Sequence, residues 1–262
     1  MITSTSNTKV KRLVNLRKKS KLRDMEKVFL TEGIRMFREV PKDRVSEIYA
    51  SRSFLEKEGA FLKEMAALGI RIEILADPVF GYVSDTKTPQ GILCVVRRVE
   101  KKLGEISGGK NPLLLILDNI QDPGNLGTII RTAEAAGITG VIMSADCVDI
   151  YNPKTIRSTM GSVFRVPFVY VRELAKTIRG LQEEGIFFYA AHLAGSSAYD
   201  EVSYRGKSAF LIGNEGNGLR EEIAQCADMY IRIPMHGQVE SLNAAAASAV
   251  LMFEAARQRR NI

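Results

Sequence analysis

The C-terminal half of the chain contains six short runs of consecutive apolar residues, separated by segments with helical periodicity. The runs predict β-strands at Leu113–Leu117, Gly140–Ser144, Val166–Val171, Ile186–Ala191, Ala209–Gly213 and Met229–Ile233. The segments between and after them predict helices at Leu126–Ala136, Lys154–Met160, Arg172–Glu184, Leu219–Gln225 and Leu242–Arg259. Continuous rather than alternating apolar runs are typical of a parallel sheet that is covered on both faces. The pattern therefore predicts an α/β fold, in which ligands bind at the carboxyl ends of the strands.

The N-terminal half also alternates short apolar runs with helical patterns. Strands are predicted at Val28–Thr31, Ser46–Ala50, Arg71–Leu75 and Gly91–Val96, and helices at Glu32–Glu39 and Phe54–Leu68. This alternation indicates a second, smaller α/β domain. The stretch from Lys101 to Pro112 is rich in Lys, Gly and Ser, which is the composition of a linker. We therefore predict one domain over residues 1–104, a linker over residues 105–111 and a second domain over residues 112–262.

Composition excludes several classes of protein. Of the 262 residues, 26% are charged and 45% hydrophobic, which argues against wholesale disorder. No apolar run reaches the roughly 18 residues of a membrane span, and the N-terminus lacks the apolar core of a secretory signal. The three cysteines are far apart and lack the spacing of a metal site. We therefore expect reduced thiols in a cytoplasmic protein without a metal.

The net charge of +7 is concentrated near the N-terminus. Residues 1–44 hold 13 Lys and Arg against 5 Asp and Glu, whereas residues 45–262 hold 24 against 25. Between positions 9 and 23 there are eight basic residues and no acidic one, interleaved with apolar residues at helical spacing. The basic residues are Lys9, Lys11, Arg12, Arg17, Lys18, Lys19, Lys21 and Arg23. Charge alone leaves a solvated helix face or a floppy tail possible, but the interleaving favours an ordered basic helix that binds a nucleic acid.

The loop after the first strand of the C-terminal half runs from Asp118 to Arg131. Pro-Gly at 123–124 predicts a turn, and Asn125 is predicted to cap a helix that begins at Leu126. Arg131 lies off the apolar stripe of this helix. Two interpretations stay open at this point, a capped helix with a solvated arginine and a site that binds phosphate near a helix N-terminus.

A second loop, Gly213 to Leu219, carries three glycines in its first six positions and a carboxylate at Glu215. Its glycine order differs from the dinucleotide-binding fingerprint, and it lacks the Lys-Ser/Thr pair of a P-loop. Glycines let a backbone approach a ligand closely, although a tight turn would also need them. The carboxylate within the loop favours a ligand site.

The third loop runs from Ile233 to Asn243 and precedes a run of alanines. Ser241 is predicted to be the N-cap of the last helix, which would explain it structurally. Asn243 would then fall in the first turn of that helix, where asparagine is a mediocre helix former. The three loops thus place polar residues after three predicted strands.

The same three segments resemble the motifs of a known family. NxxDPGNxGTIxRTAxAxG at 119–137, LIGNEGNGL at 211–219 and IPMxGxxxSLN at 233–243 are similar to the three motifs of the SpoU (TrmH) family, the ribose 2'-O-methyltransferase branch of the SPOUT superfamily. The resemblance covers about residues 112–260. The basic N-terminal half is similar, more loosely, to the RNA-binding substrate domain of several members.

The resemblance implies a SPOUT α/β-knot fold, in which a parallel sheet contains a deep trefoil knot, and a homodimer formed through the catalytic domain. It also implies S-adenosylmethionine as the methyl donor and an RNA ribose 2'-hydroxyl as the acceptor. The implied catalytic residues are Arg131, Asn125, Glu215, Ser241 and Asn243. The implied cofactor-binding residues are Gly213, Asn214, Glu215, Gly216, Gly218, Ile233, Pro234, Met235, Ser241 and Leu242.

Two questions of mechanism and substrate stay open. The family assigns Arg131 the role of general base, but a guanidinium is effectively always protonated, so a clamp on a phosphate or on the developing alkoxide is an equally physical role. The long N-terminal domain favours ribosomal RNA as substrate, with transfer RNA as the alternative. A non-catalytic RNA-binding or ribosome-assembly protein on the same scaffold is disfavoured because all five catalytic positions match the family pattern.

Overall fold

Helices and strands alternate along the whole of the described chain, which comprises residues 1–193 and 195–260 of the computed structural model. The first four strands are β1 (Val28–Glu32), β2 (Val45–Ser51), β3 (Arg71–Leu75) and β4 (Ile92–Arg97). They form one sheet in the order β1-β4-β2-β3, in which β2 and β3 are parallel and the other neighbours antiparallel. The helices of this half are α1 (Thr8–Lys18), α2 (Ser20–Glu26), α3 (Ile34–Glu39), α4 (Arg52–Ala67) and α5 (Asp77–Val83).

The predicted basic helix is present, as two consecutive helices. Val10, Leu13 and Leu16 of α1 are fully buried and belong to the same core cluster as strands β1 and β4. Asn7 caps the helix by accepting a hydrogen bond from the backbone N–H of Lys9 at 2.9 Å. The apolar residues that interleave the basic ones therefore attach α1 to the sheet, as their spacing predicts.

The C-terminal half forms a second sheet of seven strands. The strands are β5 (Leu113–Leu117), β6 (Gly140–Ser144), β7 (Phe168–Val171), β8 (Phe187–Ala191), β9 (Ser197–Ala198), β10 (Ser208–Ile212) and β11 (Met229–Arg232). Their order is β7-β6-β5-β10-β8-β11-β9, and all neighbours are parallel. The helices are α6 (Leu103–Ser107), α7 (Pro123–Ala136), α8 (Pro153–Thr159), α9 (Leu174–Glu183), α10 (Glu221–Ala224) and α11 (Ala244–Arg259). The prediction of a parallel α/β sheet in this half is confirmed.

The chain divides into two compact units. One comprises residues 1–99 together with 149–164, and the other comprises residues 100–148 together with the chain from residue 165 onward. Residues 149–164, which contain α8, therefore belong to the unit of the N-terminal sheet although they lie between β6 and β7 in the sequence. The domain boundaries drawn from composition, 1–104 and 112–262, remain a prediction.

The segment with linker composition contains helix α6. Its Ile106 is buried and packs in the core cluster of the seven-stranded sheet with Leu114, Ile116 and Ile142. A Cβ atom at Gly140 would overlap the side chain of Ile106, so glycine is required there for the helix to pack against β6. Among the described residues, no helix is both long enough and apolar enough to cross a lipid bilayer.

Candidate active site

The register of the second sheet brings two of the three loops side by side. Leu117 at the end of β5 is paired with Ile212 at the end of β10, so the loops that follow both strands leave the same edge. Asp118 is fully buried and accepts hydrogen bonds from Arg220, from the backbone N–H at 3.0 Å and from Nε at 2.8 Å. Asp118, the first residue of the first loop, thereby fixes the position of Arg220, which directly follows the second loop. Sequence reasoning missed both residues, because neither lies at a position that a motif or a cap singled out.

Glu215 connects the second loop to the first. Its carboxylate accepts hydrogen bonds from Asn125 Nδ2 at 2.9 Å and from the backbone N–H groups of Asp122 at 3.2 Å and Gln121 at 3.3 Å. Partial burial raises the pKa of Glu215, but these hydrogen bonds to the charged form outweigh it and hold the pKa below the ordinary value of a glutamate. Glu215 is therefore an ionised acceptor at the centre of the two loops.

Asn243 joins the third loop to the other two. Its Nδ2 donates to Asn125 Oδ1 at 3.1 Å, while its Oδ1 accepts from the backbone N–H of Ala245 at 2.9 Å and so caps α11. Asn243, Asn125 and Glu215 thus form one continuous chain of hydrogen bonds across three loops. The structure brings together three of the five predicted catalytic residues.

Both capping predictions are wrong. Helix α7 begins at Pro123 and is capped by Asp122, whose side chain accepts from the backbone N–H of Asn125 at 2.8 Å. Proline at the first helical position has no N–H to satisfy, which explains the earlier start. Helix α11 begins at Ala244 and is capped by Asn243, not by Ser241, which is exposed. The whole amide of Asn125 and the Nδ2 of Asn243 are consequently available for contacts between the loops.

Arg131 lies on the exposed side of α7, opposite the buried residues Leu126, Ile129 and Ile130. It forms no hydrogen bond or ion pair with any residue that the structure describes. The structure therefore does not bring Arg131 into direct contact with Asn125, Glu215 or Asn243. Its guanidinium is free to bind an anionic partner.

The glycine loop has the form of a close backbone cradle. Asn214 and Gly218 exchange two backbone hydrogen bonds, of 2.9 and 3.0 Å, and Gly218 has a φ of +68° that favours glycine. A Cβ atom at Gly213 would overlap backbone atoms of Gly218 and Leu219, so only glycine lets the loop fold back on the strand end. These features fit a ligand that contacts main-chain atoms.

All ten predicted cofactor residues belong to the second and third loops, and they differ in exposure. Half-buried ones are Gly213, Asn214, Ile233 and Met235, and exposed ones are Glu215, Gly216, Gly218, Pro234, Ser241 and Leu242. Asn214 is further held by its Nδ2, which donates to the carbonyl of Asn119 at 2.8 Å. The half-buried and exposed positions leave side chains and backbone accessible to a bound molecule.

The eight basic residues of the N-terminal half separate into two groups. Lys11, Lys18, Lys19 and Lys21 are exposed and make no ion pair with a described residue. The others have partners within the unit, as Lys9 pairs with Glu73, Arg12 with Glu26 and Glu47, Arg17 with backbone carbonyls of Tyr82, Val83 and Ser84, and Arg23 with Asp149. The first group is the surface that remains available to an anionic partner.

The described residues contain no group of three or more His, Cys, Asp or Glu side chains arranged to hold a metal ion. The three cysteines are buried and free. Burial raises the pKa of the Cys94 and Cys147 thiols, so both stay protonated at neutral pH.

The lowered pKa of Glu215 predicts a dependence of stability on pH. A group whose pKa is lower in the folded state stabilises the fold above its unfolded pKa, and this contribution disappears as the pH falls through the folded value. Between about pH 5 and pH 3, the melting temperature of the wild type should therefore fall further than that of Glu215→Gln. Thermal unfolding followed across this range, with the exposed Glu183→Gln as control, checks this. Parallel curves for the wild type and Glu215→Gln would contradict the expectation.

Loops at the carboxyl edge of a parallel sheet, with a main-chain cradle and the hydrogen-bonded Asn243–Asn125–Glu215 chain, define a ligand-binding α/β domain of the enzyme type. Residues 112–253 match the model of the SpoU rRNA Methylase family, and residues 7–94 match an MRM3-like substrate binding domain. The chain belongs to the SpoU rRNA methylase family, as its three motifs predict.

Individual relatives match over nearly their full length. The 23S rRNA (guanosine(2553)-2'-O)-methyltransferase RlmP of Bacillus subtilis is 36% identical over 254 residues, which cover 96% of this chain and 97% of the relative. The crystal structure of an rRNA methyltransferase from Sinorhizobium meliloti matches with a TM-score of 0.86 at 32% identity, covering 98% of this chain and 96% of that one. Its AdoMet-bound crystal structure matches with a TM-score of 0.85 at 32% identity, covering 98% and 97%.

Proposed function

We propose that this protein methylates a ribose 2'-hydroxyl in ribosomal RNA, with S-adenosylmethionine as the methyl donor. The observation that carries the proposal is the Asn243–Asn125–Glu215 chain, which joins the three SpoU motifs at one edge of the sheet. The Bacillus subtilis relative, which matches over 96% of this chain and 97% of its own length, is named a methyltransferase of 23S rRNA. That match favours ribosomal RNA over transfer RNA.

The glycine loop and the third loop fit the proposed cofactor. Gly213 and Gly218 supply a backbone without side chains, and Ile233, Met235 and Leu242 supply apolar surface beside it. The residues expected to hold the cofactor are Gly213, Asn214, Glu215, Gly216, Gly218, Ile233, Pro234, Met235, Ser241 and Leu242. When bound there, S-adenosylmethionine supplies an activated methyl group. The protein's own task is to hold the RNA hydroxyl in place, and positioning of this kind accounts for much of the catalysis of such a transfer.

The polar residues divide this task. Arg131 holds a phosphate beside the target ribose or stabilises negative charge on the 2'-oxygen as its proton leaves, since a guanidinium stays protonated. Asn125 and Asn243 are held in place by each other and by Glu215, so their amides orient the ribose. Ser241, exposed at the end of the third loop, contributes a hydroxyl to the same substrate.

Membership of the family supports three further proposals. The catalytic domain, residues 112–262, contains a trefoil knot in the region of the second and third loops. Two copies of the chain associate through this domain. The protein acts in the cytoplasm, where bacterial ribosomal RNA is modified.

The exposed lysines of α1 and α2 are expected to bind RNA. Neutralising Lys18, Lys19 and Lys21 together by Gln should weaken RNA binding and reduce the slope of log affinity against log salt by about 0.7 to 0.9 for each phosphate that is no longer neutralised. Filter binding at several salt concentrations measures both quantities. A triple variant at Lys57, Lys63 and Lys176, which are also exposed, removes the same net charge elsewhere and should change little. Equal effects of the two triple variants would contradict a specific RNA surface.

Two measurements test the function. Calorimetry with S-adenosylmethionine separates an enzyme from a purely RNA-binding protein, which would show no binding heat. Mapping of 2'-O-methylation in ribosomal and transfer RNA from cells with and without the gene then identifies the substrate. Loss of one methylated ribosomal nucleotide supports the proposal, loss of a methylated transfer RNA nucleotide supports the alternative, and no change in either RNA overturns both.

A further inference from the structure

Residues 149–164 are anchored to the N-terminal unit by several independent contacts. Pro153 and Ile156 of α8 line a small cavity together with Leu30 and Val83. Arg157 of the same helix pairs with Asp85, and a Cβ atom at Gly161 would overlap the side chain of Glu39. This segment is also the covalent connection between β6 and β7 of the other unit.

The first anchor is an ion pair between the buried Arg23 and the half-buried Asp149. The Arg23 side chain is 4% exposed, and its Nε lies 3.1 Å from Asp149 Oδ2. Arg23 also donates to the backbone carbonyl of Leu16 at 2.6 Å, while Asp149 Oδ1 accepts from the backbone N–H of Tyr151 at 2.8 Å. The pair therefore fixes the backbone at the first residues of the segment and connects them to the end of α1.

The second anchor is a guanidinium stacked on a ring. Arg98 lies with its guanidinium carbon 4.0 Å from the centre of the Tyr151 ring, and that ring packs 4.6 Å from Phe29. The Arg98 side chain is 7% exposed, and its Nη1 pairs with Asp24 Oδ1 of α2 at 2.6 Å, whereas its Nε and Nη2 have no hydrogen-bond partner among the described residues. Because two nitrogens of this buried guanidinium lack a partner, the contact adds little net stability, and its main effect is to connect Asp24 of α2 to the ring of Tyr151.

The chain immediately before this segment contacts the candidate active site. Val148 donates its backbone N–H to the carbonyl of Ile120 at 2.8 Å, and Ile120 donates to Cys147 Sγ at 3.2 Å. Gln121 Nε2 donates to the carbonyl of Asp146 at 2.6 Å. Residues 146–148 therefore support the loop whose backbone N–H groups bind Glu215.

We propose that Arg23 and Arg98 are positioning residues that couple RNA binding by the N-terminal unit to the geometry of the active-site loop. They hold the segment that begins at Asp149, and the adjoining residue Val148 holds Ile120. RNA bound to α1 and α2 would thereby stabilise residues 119–121 and the partners of Glu215. The proposal rests on the proposed function, because one of its readouts is methylation. It gives Arg23, which the charge pattern assigns to RNA contact, a different role.

Two variants test the coupling, Arg23→Gln and Arg98→Met. We expect kcat for RNA methylation to fall about tenfold in each, while the affinities for RNA and for S-adenosylmethionine change less than about twofold. We also expect RNA to slow hydrogen exchange at residues 119–121 in the wild type and not in the variants. Arg23→Lys, which keeps a charge beside Asp149 but loses the planar guanidinium, should restore part of the kcat.

The controls separate coupling from simple loss of stability. Leu75→Ala removes a fully buried side chain from the core cluster of the same unit, and that cluster contains no residue of the 149–164 segment. If Leu75→Ala lowers kcat and exchange protection as much as the arginine variants do, the proposal is overturned. If Arg23→Gln does not fold, Arg98→Met decides alone, since it leaves the ion pair with Asp149 intact and removes only the pair with the exposed Asp24.

The outcomes also separate this proposal from the proposed function. A wild type that methylates RNA, with arginine variants that match it in kcat and in exchange, overturns the coupling and leaves the function intact. If RNA slows hydrogen exchange at residues 119–121 in the wild type and not in either variant, the coupling is supported even if no methylation occurs. Absence of RNA-dependent protection in the wild type overturns the coupling.

Discussion

Replacing Arg131 by alanine is expected to lower the rate of RNA methylation by about 100- to 1,000-fold, the effect of removing one preorganised charge-stabilising donor. Arg131 is exposed on α7 and makes no ion pair with a described residue, so its charge is available to the RNA. It lies outside the glycine loop and the third loop. The affinity for S-adenosylmethionine should therefore change less than about twofold. Single-turnover rates at saturating RNA, together with calorimetry, measure the two effects.

Two further variants show whether the effect is specific to Arg131 and whether Arg131 acts as a base or as a clamp. Arg179→Ala removes an equally exposed arginine from α9 and should leave the rate unchanged. Arg131→Lys keeps the positive charge without the planar fork of donors, and an ammonium loses its proton more readily than a guanidinium. If Arg131 acts as a base, the lysine variant should recover activity as the pH rises, whereas a clamp predicts partial activity without that recovery. Turnover of Arg131→Ala within a few-fold of the wild type would remove Arg131 from the mechanism.

The parallel sheet is the part of the fold that the sequence predicts best. Strands β5 and β6 begin and end where their apolar runs do. Every residue of both strands is buried, so the apolar run in the sequence has the same length as the strand. Helix α5 escaped prediction because seven residues provide only two turns of periodicity. The placement of α8 in the N-terminal unit depends on contacts such as Arg23 with Asp149, 126 positions apart, which no local pattern encodes.

In the candidate site, too, the sequence predicts some features and leaves others to long-range contacts. The motifs indicate which residues matter, and the parallel topology indicates that their loops share one edge. Which side chains bond to each other depends on long-range contacts. Asn125 and Glu215 are 90 positions apart in the sequence, and Asn243 and Asn125 are 118 positions apart. Local capping rules assigned Asn125 and Ser241 to helix ends, although Asp122 and Asn243 occupy them. Capping statistics rank residue types, so two suitable residues near one helix end cannot be separated without the backbone.

The charge of the N-terminal half also needs the structure for its interpretation. Half of the eight basic residues between positions 9 and 23 have partners within the N-terminal unit, including a pair of Arg12 with Glu47, which lies on β2. These partners fall outside the block, which contains no acidic residue of its own. The charge pattern therefore correctly identifies the surface as basic, but it overstates the number of basic side chains that are free to contact RNA. Lys11, Lys18, Lys19 and Lys21 are the residues for which RNA contact stays the expected role.

The substitution of Gly213 by alanine is expected to have the largest effect on the cofactor. The added methyl group would overlap backbone atoms of Gly218 and Leu219, so the loop must move away from the strand end. Overpacking of this kind costs about 1 to 3 kcal/mol, which corresponds to about a five- to 150-fold loss of S-adenosylmethionine affinity if the displaced loop no longer fits the ligand. Calorimetry measures the affinity, and thermal unfolding measures how much of the strain destabilises the fold.

The control is Gly180→Ala on α9, where the added methyl group meets no atom within 4 Å. Alanine at this exposed position of the helix should leave the affinity unchanged and raise the stability slightly. The comparison matters because Gly213 holds two loops together as well as a ligand. Movement of the 213–218 backbone also displaces Glu215, so Gly213→Ala should lose RNA turnover at saturating S-adenosylmethionine too, unlike a variant that only weakens cofactor binding. Full turnover at saturating cofactor would show that the cradle and the Asn243–Asn125–Glu215 chain are independent, and it would remove the structural link between cofactor and RNA on which the proposed mechanism depends.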